Sequence, residues 1–187
     1  VGDLAFAPDP FLVEAMRAAD VILALGTRLG DLTTGGYTLL KPPKPDQKLI
    51  HVYPDPSELG RLYTADVAVV ADPARFLASS AKATPPVNTW RAWTATLQAA
   101  FTASLEPATC PGALDMNVVI QELSVKLSPS DIITLDAGNF AQWVQRYYPF
   151  KEFRTQIGPT GGAMGYGIPA GVAAALVCPG RRVVTFV

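Results

Sequence analysis

The sequence has 187 residues, a formal net charge of −1, 49% hydrophobic residues and 17% charged residues. That length allows one large or two small domains with a sizeable core. The charge argues against a nucleic-acid or anionic-membrane partner, both of which want a basic face, and no window holds the roughly 18 consecutive apolar residues of a membrane span.

His51 is the only histidine, and Cys110 and Cys178 are far apart with no CxxC. A His-based triad, a multi-His metal site and a disulfide framework are therefore not expected. Two ordinary thiols fit a reducing compartment, and a cytoplasmic location is expected. Val1-Gly2-Asp3 offers neither a basic n-region nor an initiating Met, so the start is not a signal peptide and looks like that of an excised piece.

In chain order, residues 9–19 predict a short helix with Asp9 as N-cap, Pro10 at the first position and Phe11, Leu12, Ala15 and Met16 on one apolar face. Residues 20–25 (DVILAL) read as a buried strand. It leads into Gly26-Thr27-Arg28 and a polar loop with Thr33-Thr34-Gly35-Gly36. Such a turn can hold anionic groups on backbone N–H donors, or it can be a tight turn with a solvated Arg. After a Pro/Lys loop come a strand at 49–53 (LIHVY), a one-turn helix from Ser57 and a strand at 66–70 (DVAVV). Asp72 then caps a helix over 73–81. This alternation predicts a parallel sheet covered on both faces.

Residues 84–114 change character. Pro85-Pro86 opens a linker, and Asn88 caps a helix to about Leu105. Its Trp90, Trp93, Leu97 and Phe101 form one stripe expected to pack inward as core or domain contact. A second α/β unit begins at Asp115, which caps a helix over 116–127 with Met116, Val119, Ile120, Leu123 and Leu127 on its apolar positions. A strand at 131–135 (DIITL) runs into Asp136-Ala137-Gly138-Asn139-Phe140 and a further helix to about Tyr148.

The last stretch, GPTGGAMGYGIPAGVAAALVCPGRRVVTFV from Gly158, predicts a glycine-rich loop, a small-residue helix over 166–177 and a buried parallel strand over 181–187. Ligands of open α/β sheets bind outside the carboxyl ends of the strands. Here two glycine-containing loops each enter a helix N-terminus, which suits a phosphate. Gly165-x-Gly167-x-x-x-Gly171 is not the dinucleotide fingerprint, because its spacing is one residue too long and no strand immediately precedes it. Asp136 reads as an orienting or capping carboxylate. Met164, flanked by glycines, either fills a core gap or projects against a ligand.

These motifs resemble the thiamine-diphosphate enzymes of the acetolactate synthase/pyruvate oxidase type. The resemblance rests on Asp136-Ala-Gly-Asn-Phe with Trp143, on Gly161-Gly-Ala-Met-Gly-Tyr-Gly-Ile-Pro-Ala, and on the closing Pro-Gly-Arg-Arg-Val-Val strand. The first half, ADVILALGTRLGD through DVAVVADP, looks like the later part of their central domain, and the second half like the start of their cofactor-binding domain. Two partial Rossmann-like α/β units are implied, over residues 1–83 and 115–187, joined by a linker with a helix over 84–114.

The resemblance implies that Ala137, Gly138, Asn139 and Phe140 lie along the diphosphate. It further implies that the Gly162 carbonyl accepts from the aminopyrimidine, and that Met164 wedges the cofactor into a V shape. In the family, Mg²⁺ is held by a Gly-Asp-Gly and a later Asn, which would lie beyond Val187. The activating glutamate comes from an N-terminal domain, usually of a second subunit. FAD- or ADP-binding members carry an Asp where Tyr53-Pro54 stand here, which weighs against FAD.

The expectation is thus an internal, inactive fragment of a decarboxylase or carboligase of 2-oxo acids that works as a homodimer or homotetramer. The residues alone also admit a non-catalytic nucleotide-binding module using the Gly26-Thr27-Arg28 turn, or a purely structural piece.

Overall fold

The computed structural model describes residues 2–4, 8–83, 89–107 and 110–187. Pro85, Pro86 and Asn88, expected to open and cap the third helix, lie outside them. The chain divides into two compact units, Val1–Ser104 and Leu105–Val187, and each is an α/β unit built on a parallel sheet.

The first unit opens with α1 (Pro10–Ala18). Asp9 stands at its N-cap but makes no side-chain capping bond there; its carbonyl accepts from Leu12 and Val13 instead. The strands β1 (Val21–Leu25), β2 (Lys48–Tyr53) and β3 (Val67–Val70) follow. They pair in parallel in the order β1-β2-β3. The sheet's core side holds Ile22, Ala24 and Leu49 with Leu29, Leu40 and Tyr63, and Met16 and Ala19 pack on it from the α1 side. Asp66 locks the third strand to the second: its carboxylate accepts from Leu49 N at 2.9 Å and from Lys44 Nζ at 2.9 Å.

A 3-10 turn at Pro56–Glu58 precedes β3. Helix α2 (Pro73–Ser80) is capped by the Asp72 side chain on Arg75 N, as the sequence predicts. Helix α3 (Arg91–Ser104) departs from expectation. Trp90 and Trp93 are 55% and 44% exposed, while Leu97 and Phe101 are half-buried. The stripe is not core within its unit. Gly2 lies against both Leu12 of α1 and Phe101, so it is the Phe101 end that finds apolar neighbours there.

The second unit contains α4 (Met116–Lys126), β4 (Ile132–Leu135), α5 (Asn139–Tyr147), β5 (Gln156–Ile157), α6 (Gly167–Val177) and β6 (Val183–Phe186). β5, two residues long, gives no period of its own in the sequence and was not expected. All pairings are parallel, in the order β5-β4-β6. Central β4 is buried at every residue. Successive side chains of a strand face opposite ways. Ile133 and Leu135 pack with Ile120 of α4 and Val144 of α5. Thr134, on the other face, meets α6. β6 was expected to be buried, but all four of its residues are half-buried, because it pairs on one side only, with β4.

Candidate functional site

The carboxyl end of β4 gathers the residues the sequence singled out. Asp136 follows the strand, is buried (9% exposed) and donates its own N–H to Phe186 O at 2.9 Å. Its carboxylate accepts three backbone N–H groups: Ala137 at 2.7 Å and Gly165 at 2.9 Å on Oδ1, and Gly167 at 2.9 Å on Oδ2. The bonds from Gly167, Ala137 and Gly165 outweigh desolvation and hold the Asp136 carboxyl below its usual range. One side chain therefore ties the turn after β4 to the glycine loop before α6. It is the orienting carboxylate the sequence suggested.

Two close approaches hold α6 against the sheet. A Cβ on Gly167 would stand 2.9 Å from Asp136 N, and one on Gly171 would collide with Thr185 Oγ1. Thr134 Oγ1 lies 3.2 Å from Gly167 O and 2.8 Å from Thr185 Oγ1. This hydroxyl pair was missed from sequence. Its signal was available: a Thr sits in the middle of each of two apolar strands, and the two pair directly, Thr134 with Thr185.

The expected site residues divide into a turn and a loop. Gly138 is the N-cap of α5 in extended backbone. What fixes glycine there is the Phe140 ring packed over its Cα. Asn139 opens the helix and is exposed, while Ala137 and Phe140 are half-buried. The α5 N-terminus thus presents backbone donors and the positive end of a helix dipole.

In the loop, Gly162 and Gly165 have φ of +69° and +84°, the left-handed region that favours glycine, and neither has a heavy atom near its missing Cβ. Met164 between them is 84% exposed, so of its two sequence readings it fills no core gap. The open glycines, the projecting thioether and the helix N-terminus fit a flat cofactor bearing an anionic tail. Among the described residues no group of three or more His, Cys, Asp or Glu is placed to hold a metal ion.

The first unit holds a separate cleft. Gly26 N donates to Val52 O at 2.9 Å, so one donor of the Gly26-Thr27-Arg28 turn is spent within the fold, and the next residue, Leu29, donates its N–H to Thr27 Oγ1 at 3.2 Å. Arg28 Nε donates to the Tyr53 hydroxyl at 3.0 Å, and Arg61 Nη1 to Glu58 at 3.0 Å. Both guanidinium groups, with Glu58, His51 and Tyr63, line a cleft of about 270 Å³.

Two domains of one enzyme family match the chain. Residues 1–79 match the thiamine pyrophosphate enzyme central domain, and residues 136–187 match the thiamine pyrophosphate enzyme C-terminal TPP binding domain. The acetolactate synthase large subunit of Corynebacterium glutamicum is 29% identical over 180 residues, 91% of this chain and 28% of that protein. The acetolactate synthase isozyme 1 large subunit of Escherichia coli K12 is 32% identical over 175 residues, 91% of this chain and 30% of that protein. A probable chloroplastic acetolactate synthase 2 of Oryza sativa subsp. japonica is 29% identical over 182 residues. The chain spans less than a third of the length of these curated relatives. Two matched domains of one enzyme family, together covering well over half of a chain folded as two parallel α/β units, make this chain a member of the thiamine pyrophosphate enzymes, of the acetolactate synthase type.

Proposed function

We propose that the chain supplies the diphosphate and aminopyrimidine positions of a thiamine-diphosphate-dependent decarboxylase or carboligase acting on 2-oxo acids. The observation that carries this reading is the Asp136 carboxylate, which joins the Ala137–Phe140 turn to Gly165 of the glycine loop and Gly167 of α6 through three N–H bonds. In this reading Ala137, Gly138, Asn139 and Phe140 run along the diphosphate, whose charge the α5 N-terminus favours. The Gly162 carbonyl accepts from the aminopyrimidine, and Met164 supports the bent cofactor from the side. The bound cofactor supplies the carbanion-stabilising chemistry, with Mg²⁺ on its diphosphate. The chain's own part is to bind, bend and orient it.

The chain alone is proposed to be inactive, as it spans under a third of relatives named for the activity. Assembly as a homodimer or homotetramer and a cytoplasmic location belong to the same reading. Among the described residues no helix is long and apolar enough to cross a membrane. The resemblance weighs against FAD, since Tyr53, whose hydroxyl engages Arg28, stands where FAD-binding members carry a carboxylate.

The test is an amide-resolved titration of the chain with thiamine diphosphate and Mg²⁺. Shifts are expected at residues 137–140 and 162–165, with affinity weaker than micromolar because few backbone donors carry the binding. Shifts elsewhere only, or none at millimolar cofactor, would remove the site assignment. Carbon dioxide release from pyruvate by the chain alone would remove the claim of inactivity.

A further inference from the structure

The cleft of the first unit has a chemistry that the thiamine-diphosphate reading does not use. His51 is 2% exposed, and its Nε2 lies 2.9 Å from the Thr27 carbonyl. A carbonyl only accepts, so Nε2 carries the hydrogen, and a neutral ring leaves Nδ1 as a bare acceptor. That Nδ1 is buried and finds no hydrogen-bond partner among the described residues. A buried acceptor left unmade is costly, and native structures rarely leave one. His51 lines the same cleft as Arg28 and Arg61. Glu58 stands 3.9 Å from Arg28 and 3.0 Å from Arg61, and the Asp55 carboxylate also acts on Arg28. Its volume of about 270 Å³ is just under the ~300–1,000 Å³ of clefts that take drug-sized ligands, which suits a small molecule rather than a dinucleotide.

We propose that this cleft binds a small hydroxylated anion, its charge on Arg28 and Arg61 and its hydroxyl donating to His51 Nδ1. The anionic group is phosphoryl or carboxyl, as in a sugar phosphate or a hydroxy acid. The site lies wholly in the first unit and stands or falls independently of the thiamine-diphosphate assignment.

The chain has one histidine, so two-bond ¹H–¹⁵N correlations of the labelled chain contain a single imidazole. Glycerol 3-phosphate and glycerate are the probes, with sulfate, glycerol and ADP as comparisons. A saturable shift at Nδ1 with Nε2 unmoved is expected from one or both probes, and which of the two is tighter identifies the anionic group. Arg61→Ala, at a side chain 71% exposed and so not required for folding, should weaken the response about tenfold. An equal shift with sulfate means an adventitious ion only and overturns the proposal. So does a response to ADP alone, or an Nδ1 already hydrogen-bonded without probe and unmoved by any of them.

Discussion

Asp136 is exposed to so little water, and accepts so many bonds, that its charge is part of the architecture. Asp131 is buried and bonded in the same way, and Asp66, although exposed, also has a carboxylate held by several donors. The Lys44 ammonium and Leu49 N–H hold the Asp66 carboxyl below its usual range. At Asp131 desolvation works the other way and is outweighed by bonds from Ser128 and Arg182. Each folded-state pKa is depressed. Each group therefore contributes stability that is present above the unfolded carboxylate value of about 4 and is lost as pH falls through the folded value. Urea midpoints are expected to hold from neutrality down to about pH 5 and to drop below about pH 4. Asp131→Asn should lower the neutral midpoint and flatten that drop; an unchanged slope would contradict the assignment.

Met164 gives the opposite case. At 84% exposure, Met164→Ala should change stability by no more than about 0.5 kcal/mol while weakening cofactor binding, a split that calorimetry of both properties would reveal. The joining role of Asp136 was legible in the sequence because a carboxylate between a strand end and a glycine turn can do little but accept backbone N–H groups. The reason for Gly138 was not, since the Phe140 ring that needs the space declares itself only once α5 is formed.

At the scale of elements, β4 does most of the joining. Ile133 is fully buried against α4 and α5 on one face, and Thr134 faces α6 on the other. Ile133→Ala should cost about 3 kcal/mol. Gly171→Ala should cost about 1–3 kcal/mol by pushing α6 off the Thr134–Thr185 pair. If thermal denaturation shows Gly171→Ala to be neutral, the helix is not packed that closely.

The strands other than β5 and the Asp72 and Asp115 caps were legible because apolar runs and Asp helix starts are local. Asp72 caps as expected, whereas Asp9 fills its position without making the side-chain bond there. The α3 stripe misled for a different reason. Period 3.6 tells which residues share a face, not whether anything covers it, and Trp90 and Trp93 remain exposed.

At the scale of the whole chain, two units with separate cores make a single unfolding transition unexpected. Denaturation is expected in two steps. Leu49→Ala should shift only the step of the first unit and Ile133→Ala only that of the second; one shared shift would mean the cores are coupled. The molecule also leaves much apolar surface uncovered: Ile168, Val172 and Leu176, spaced four apart on α6, are 60%, 56% and 76% exposed. Sedimentation velocity should show association rising with concentration and falling on Val172→Glu.

The Thr134–Thr185 contact joins residues 51 positions apart, and that separation has a cost in time. On a ribosome adding about 5–20 residues each second, β4 leaves the exit tunnel several seconds before the strand that completes it. During that interval its Ile-Ile-Thr-Leu edge is bare, apolar and ready to pair with any other nascent strand nearby. The crowding of polysomes, more than the stability of the finished sheet, would then set how much of this chain reaches its native pairing.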